Sequence, residues 1–580
     1  MRFRPLAVLG LGALTWATLL LFSVIPHRPV VDAWLIPEGL FLATLALLAP
    51  WIALACANAA LGWSVLIFTP DPPAHVVPVL RDARLQGQGE GAPPQGRTAI
   101  AVCLRNEAMP PILAALGPLL DGLPASHFDL WLLSDTREPG LCAAEDAAFE
   151  AFRAARPGDG DGDGDGDGAR LHLRRRAGNA GFKAGNVMEF LDAEGAGYEY
   201  LLCLDADSEM SPAAVLRLAA ALDAGPRIAI LQQLIVGRPV AAVFPRLFQF
   251  GMRAGMRVWA TGQGWWQGAK GPYWGHNALI RIAPFREHGR LETLADGSTI
   301  LSHDQIEAIR LHGAGWEVWC LPEEAGSLEG NPPALPEFMA RDLRWAAGNM
   351  QYLALLRRPG LSGMARFQLL QAILMFLCAP LWVLAFMLAA VLAALGRFDD
   401  VAGWHLVGLM ALFWAAQHSA KLAGYAQVLM QGGQAARYGG RVAFARGAAL
   451  EILFTTILSP ISCVNKARFL LALPFGARMG WNTQNRAVRD VGWADAARLL
   501  WLHTLAGILA FAFLAWAAPW AIGFALPWAG GLLLAIPFCV LTASPRLANW
   551  LVARRLGATP EEIASPAQAG DVALATVVAS

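Results

Sequence analysis

Long apolar runs at both ends of the chain bracket one charged block, and this arrangement restricts the fold more than any other feature. The runs cover about residues 5–25, 35–68, 367–395, 404–430, 501–524 and 526–541. An α-helix needs about 20 mainly apolar residues to cross a bilayer's hydrocarbon core. Without water, its backbone groups must pair within the segment. Six membrane spans are therefore expected. Residues 1–70 would form two N-terminal helices, and residues 361–557 a C-terminal bundle. Arg2 and Arg4 precede the first run and predict a cytoplasmic N-terminus. That run is too long for a signal-peptide core, so a retained span is expected.

One segment resists assignment. Residues 448–473 are apolar but carry Glu451, Pro460, Lys466 and Arg468, and read as interfacial or re-entrant. Their flanks hold Arg437, Arg441 and Arg446 on one side and Arg478, Arg486, Arg489 and Arg498 on the other. Both flanks read as cytoplasmic, which a single crossing would violate. Gln417, His418, Lys421, Tyr425 and Gln427 suggest a polar path between the later spans, since ionisable residues within a membrane are functional candidates. Residues 558–580 read as a flexible tail.

The charged block, residues 71–360, has a different pattern. Short apolar runs at 98–104, 129–133, 171–173, 199–204, 228–232, 277–281 and 317–321 predict strands. Helical patterns near 111–120, 143–155, 185–193 and 212–221 alternate with them. Such alternation predicts an α/β domain around a mostly parallel sheet, with its site at the strands' C-terminal ends. The Asp-Gly repeat through Gly168 reads as a solvated surface insertion. Lys plus Arg number 45 and so do Asp plus Glu. Bulk charge therefore gives no case for nucleic-acid binding. The eight cysteines lack any Cys-x-x-Cys spacing and read as reduced, buried residues.

Five polar features fall at predicted strand ends or adjoining loops. They are Asn106-Glu107, Ser134-Asp135-Thr136, a glycine-rich stretch through Lys183 to Asn186, Asp205-Ala206-Asp207, and Ser302-His303-Asp304. Each residue type suits transfer from a nucleotide sugar. Glu107 and Asp135 can accept hydrogen bonds from a ribose and base. Lys183 and helix-end amides can face a diphosphate. Asp205 and Asp207 can hold nucleotide and a Mg²⁺ or Mn²⁺ ion, since hard cations take carboxylates and phosphates together. Asp304 can take the proton of an attacking hydroxyl. One base without a second catalytic carboxylate suits inverting displacement. Taken singly, Asp135 and Asp304 could merely cap helices, and Lys183 could be a solvated charge. Their shared order is what favours a site.

The segments Leu133-Ser-Asp-Thr136, Lys183-Ala-Gly-Asn186, Leu204-Asp-Ala-Asp-Ser208, Tyr273-Trp-Gly-His-Asn-Ala278, Leu301-Ser-His-Asp304 and Arg341-Asp-Leu-Arg-Trp-Ala-Ala-Gly-Asn349 resemble family 2 glycosyltransferases. More narrowly, they are similar to the glucosyltransferases of osmoregulated periplasmic glucan synthesis. That resemblance implies a GT-A domain between transmembrane helices of a bacterial inner membrane, with the catalytic domain cytoplasmic. It implies UDP-glucose as donor and a growing β-1,2-linked glucan as acceptor and exported product. An acyl carrier protein and a periplasmic glucan-processing protein are its implied partners. On matching positions, Asp304 would be the base, Arg344 would approach the diphosphate and Trp345 would stack on the acceptor. Arg341 stands where the wider superfamily has Gln. Trp274, His276, Asn277 and His303 are expected to shape the acceptor pocket, and residues 474–500 to include a loop over the nucleotide. A lipid acceptor would instead give a glycolipid. A nucleotide-binding transporter or receptor would have no need of Asp304 and the Arg-Trp pair.

Overall fold

The computed structural model describes residues 3–24, 36–81, 94–156, 170–477 and 486–564. The Asp-Gly insertion, most of the expected nucleotide-covering loop and residues 565–580 of the expected tail lie outside them; its first part, 558–564, is not a free tail but holds the short helix Pro560–Ala564, with Glu561 and Glu562 paired to Arg253 and Arg246. Seven strands form the main sheet: β1 (Thr98–Leu104), β2 (Phe128–Ser134), β3 (Leu171–Arg175), β4 (Tyr200–Asp205), β6 (Ile228–Gln233), β8 (Ala278–Arg281) and β9 (Glu317–Leu321). Their order is β3-β2-β1-β4-β8-β6-β9. Every pairing is parallel except those of β8, which runs antiparallel to β4 and β6. The short strands β5 (Glu209–Met210), β7 (Val236–Gly237) and β10 (Ser327–Glu329) make a second sheet.

The central strands are apolar without alternation because both faces are covered. Helices Met109–Asp121 and Pro212–Ala224 bury Leu116, Leu120, Val215 and Leu218 against one face. Helices Phe182–Ala193 and Asp304–Gly313 bury Phe190, Leu191, Ala308 and Leu311 against the other.

A 25-residue helix, Val243–Gln267, joins this domain to the apolar helices and is here termed the bridging helix. No expected helix covers it. Its buried face carries Arg246, Gln249, Arg253, Gln263 and Gln267, which hide the apolar period. It meets helix Ile36–Phe68 backbone to backbone. A Cβ on Gly262 would lie 2.1 Å from the Asn58 carbonyl oxygen, and one on Gly62 would lie 1.9 Å from that of Val258. Gly262→Val is therefore expected to cost about 1–3 kcal/mol through overpacking, read as a lower Tm in detergent. Three tryptophans fasten the same helix. Trp259 Nε1 donates to Gln263, Trp265 Nε1 to His75 and Trp266 Nε1 to Asn58.

Among the described residues, five helices are long and apolar enough to cross a membrane: Phe3–Ser23, Ile36–Phe68, Gly363–Ala394, Arg441–Phe475 and Trp493–Ala517. Pro519–Leu533 and Ala535–Thr542 form a further pair bent by 56°. Two expectations change. The run 404–430 is not one helix but two, Gly403–Gln417 and Ser419–Met430. The break falls at His418, whose ring nitrogen Nδ1 lies 2.8 Å from the Trp414 carbonyl. Segment 448–473 is not re-entrant but lies within one continuous helix, Arg441–Ala472.

One side of that long helix follows the soluble domain. A Cβ on Gly447 would touch Phe250, Phe454 packs on Phe244, and Ser462 donates to Asp342. Three of the polar residues expected to line a path bond side chains outside that set. Lys421 Nζ donates to Glu451 at 2.6 Å and Thr455 at 2.7 Å, and the Tyr425 hydroxyl donates to Glu451. Gln427 donates to Gln431.

Candidate active site

The C-terminal ends of β1, β2, β3 and β4 share one edge of the sheet. Because β8 is antiparallel, it brings its N-terminal approach, Trp274 to Asn277, to that same edge. The topology thus gathers four of the sequence features. The fifth arrives on helix Asp304–Gly313.

At the outer side, Asp135 is 8% exposed and held by Arg176, whose Nε and Nη2 donate to its two oxygens at 2.5 and 3.0 Å. Asn186 Nδ2 donates to the same carboxylate at 3.2 Å. Arg176 also donates to Ala180 O, Phe182 O and Glu189, so it fixes the glycine-rich turn as well as Asp135. Glu107 accepts from the Arg105 amide at 2.5 Å and lies 3.4 Å from Arg486. Burial pushes the Glu107 carboxyl up to about 7, helped by Asp205 and Asp207 and opposed by Arg486 and the Arg105 amide.

At the centre, Lys183 Nζ donates to Asp205 and to the Gly275 carbonyl, the latter at 2.8 Å. Burial alone would raise the Asp205 carboxyl, but Lys183 and His276 outweigh it and hold it below the usual range. Asp207 pairs with Arg486 at 2.7 Å. Burial nevertheless leaves its pKa raised, with Asp205 and Glu329 adding to the effect. His276 Nε2 lies 3.0 Å from Glu329. Burial opposes its charge, yet Asp205 and Glu329 hold it at about 9.

Four carboxylates, Glu107, Asp205, Asp207 and Glu329, therefore share one partly buried corner. Lys183, His276 and Arg486 answer their charge. Buried carboxylates need cations or protons. The all-oxygen character of the Asp205–Asp207 pair fits a hard divalent ion bridging to phosphate.

On the far side of Gly275 stands Asp304, first residue of its helix. A Cβ on Gly275, whose φ is +86°, would lie 3.5 Å from Asp304 Cβ. The bare glycine thus leaves space between the acid and the Lys183–Asp205 pair. Burial raises the Asp304 carboxyl, while His303 and the Gln305 amide oppose the rise.

Helix Leu335–Leu355 supplies the remaining wall. Trp345 is 47% exposed, with the Arg341 guanidinium 4.6 Å from its ring centre. Arg341 therefore props a sugar-sized aromatic face where Gln stands in the wider superfamily. Burial lowers Arg344 to about 10, and Arg341 and Arg486 add to it by like charge. The positive potential felt by Arg344 suits an anionic ligand. Asp342 ties this helix to the long helix through Ser462 at 2.8 Å and Lys466 at 3.0 Å.

Two residues expected at the acceptor are engaged mainly by protein. Asn277 is fully buried, and its Nδ2 donates to Ser327 Oγ and Leu328 O at 3.0 and 3.2 Å. It braces β10, while its Oδ1 has no partner among the described residues. The Trp274 ring packs on Leu234, Val236, Ala260 and Cys320, so its main contacts are apolar protein. Sequence reading missed Arg176, Glu329 and Glu307. Arg176 closes a run of three arginines that looks merely basic. The other two are single acids in unremarkable segments.

Residues 200–417 match glycosyl transferase family group 2. The glucans biosynthesis glucosyltransferase H of Caulobacter vibrioides (strain NA1000 / CB15N) is 31% identical over 564 residues, covering 91% of this chain and 81% of that one. The protein of the same name from Pseudomonas entomophila is 30% identical over 578 residues; the match covers 94% of this chain but only 65% of that one. A solved mannosyltransferase from Pyrobaculum calidifontis, PcManGT, overlays with a TM-score of 0.41 at 16% identity, covering 65% of this chain and 99% of that one. The main sheet, with its one antiparallel strand, is that of a GT-A domain, and the chain belongs to the glucans biosynthesis glucosyltransferase H family within glycosyl transferase family group 2.

Proposed function

We propose that this protein is a membrane-embedded inverting glucosyltransferase that transfers glucose from UDP-glucose to a growing glucan with a β-1,2 backbone, and exports the product. One observation carries the reading. One carboxylate, Asp304, stands across the bare Gly275 from the Lys183–Asp205 pair. In the reaction, an acceptor hydroxyl oxygen bonds to the anomeric carbon while the bond to the diphosphate oxygen breaks. The electron pair leaves on the diphosphate, and the hydroxyl proton passes to Asp304. Attack from the face opposite the leaving group turns an α-linked donor into a β-linked product.

Burial makes Asp304 a stronger base than an exposed carboxylate. Lys183 and Arg344 place fixed positive charge for the diphosphate. Glu107 and Asp135 accept from the nucleoside, Asp135 being held in place by Arg176. Trp345 offers the acceptor a stacking face. A divalent ion held by Asp205 and Asp207, Mg²⁺ or Mn²⁺, would supply charge neutralisation of the leaving diphosphate. The basic residues Arg2 and Arg4 before the first apolar run support a cytoplasmic N-terminus and, after two spans, a cytoplasmic catalytic domain at the bacterial inner membrane.

The test is transfer by purified protein offered UDP-glucose, UDP-N-acetylglucosamine or GDP-mannose, with and without a chelator. Metal-dependent turnover of UDP-glucose alone supports the reading; preference for another donor overturns it. The pH dependence adds a check. A carboxyl held at about 7 is largely protonated below that pH, which turns one of its acceptor oxygens into a donor. kcat/KM for the donor is thus expected to fall below pH 7, and Glu107→Gln to lose that acid limb. An unchanged limb would remove Glu107 from the nucleoside site.

A further inference from the structure

Behind Asp304 stands a buried acid that the reaction above leaves unused. Glu307 lies one turn further along the same helix, with only 2% of its side chain exposed. Its Oε2 is 3.0 Å from His303 Nδ1. A carboxylate so buried persists only with a partner, and the imidazole at i−4 is that partner. The opposite edge of the ring is open. A Cβ on Gly275 would meet His303 Cε1 at 3.6 Å and Nε2 at 3.8 Å, just beside Asp304. Among the described residues Nε2 has no hydrogen-bond partner.

The backbone of this turn is secured independently of Glu307. The Tyr352 hydroxyl donates to Ser302 O at 2.7 Å. Gln351 accepts from the Leu301 amide at 2.9 Å and donates to Thr299 O at 3.0 Å. What Glu307 settles is therefore the orientation of the His303 ring. We propose that Glu307 is a positioning residue that holds His303 with Nε2–H toward the acceptor sugar, where it hydrogen-bonds the substrate beside the hydroxyl that Asp304 deprotonates. The inference rests on the glucosyltransferase reading.

The surrounding charges agree with an imidazolium at this point. Burial opposes the charge on His303, but Glu307 and Asp304 outweigh it and raise its pKa, while Lys183 works against them. Tyr273, in the approach to β8, and Cys203, on β4, lie near Glu307, and burial raises the pKa of both. An imidazolium beside Asp304 also helps keep that base ionised.

The experiment measures initial rates of glucose transfer from UDP-glucose to a short β-linked gluco-oligosaccharide across pH, for wild type, Glu307→Ala, Glu307→Gln, His303→Ala and the double alanine variant. Glu307→Ala is expected to lose about 10–100-fold in kcat, at the low end of general acid–base effects, with the donor KM within about twofold. Glu307→Gln keeps an oxygen for Nδ1–H and should recover most of the rate. It removes the counter-charge, so the alkaline limb of kcat should move to lower pH. The double variant should be no worse than either single one, because the two residues act as a unit. An unmoved alkaline limb in Glu307→Gln overturns the proposal even if the alanine variant fails to fold. So does a rise in donor KM that accounts for the whole loss. No transfer by wild type would defeat the underlying reading instead, and the two failures are thus distinct.

Discussion

Asp304→Asn is expected to slow glucose transfer by about 10²–10⁴-fold, the range for losing a general base, while UDP affinity stays within about twofold. Asparagine matches aspartate in shape and is equally favoured at the start of a helix, so helix Asp304–Gly313 should form as before. What it cannot do is accept the hydroxyl proton. The proposed nucleotide anchors, Glu107, Asp135, Lys183, Asp205 and Arg344, are separate side chains, and Lys183 lies across Gly275 from Asp304. The loss should therefore appear in kcat. Rates measured with saturating donor, beside UDP titration by calorimetry, check it. An Asn variant that turns over at the wild-type rate would remove Asp304 from the chemistry. One that loses UDP binding in proportion would make it a nucleotide ligand.

Arg253→Leu is expected to cost about 3–5 kcal/mol, the usual penalty for stripping one partner from a buried ion pair. Arg253 is 2% exposed and donates to Glu324 at 2.9 Å and to both oxygens of Glu561 at 2.7 Å. Glu324 is nearly as buried and, when Arg253 is gone, keeps Arg437 at 3.2 Å and the nearby charge of Arg257. Solvent screening cannot rescue a charge at that depth. The consequence reaches the site. Glu324 lies in the connection from β9 to β10, whose last residue, Glu329, contacts His276. A lowered Tm with a raised donor KM is the expected pair of readings. Removing residues 559–580 strips Glu561 and also Glu562, the 2.8 Å partner of Arg246, and should shift both readings the same way. A variant that melts with wild type would show that the bridging helix is held by its apolar and glycine contacts alone.

The sheet was legible because a strand covered on both faces must be apolar at every position. Thr98–Leu104 and Tyr200–Asp205 announce themselves in that way. The chemistry was legible because the strand ends set its order: Glu107, Asp135, Asp205 and Asp207 each follow an apolar run. The bridging helix was not legible. Its buried arginines and glutamines find distant partners, as Arg246 does at the Leu556 carbonyl 310 residues away, and no local period records that. The same reason hides Arg176, whose value lies in Asp135, 41 residues earlier. Asn277 sits among motif residues and shares their appearance, yet a left-handed backbone (φ +49°) turns it under the sheet edge. The break at His418 depends on where Lys421 finds Glu451, a contact between helices that hydropathy does not register. Local pattern therefore gave the frame and the acids. The cations and braces that tune those acids came from tertiary pairing.

The most direct test of the central claim is incorporation of labelled glucose from UDP-glucose by the purified full chain in lipid vesicles with Mg²⁺, with product size and linkage determined. The account predicts a β-1,2-linked glucan that Asp304→Asn does not make. A product bearing a single glucose on lipid would contradict the polymerase, and no transfer from UDP-glucose, where another sugar nucleotide is used, would contradict the glucosyltransferase itself.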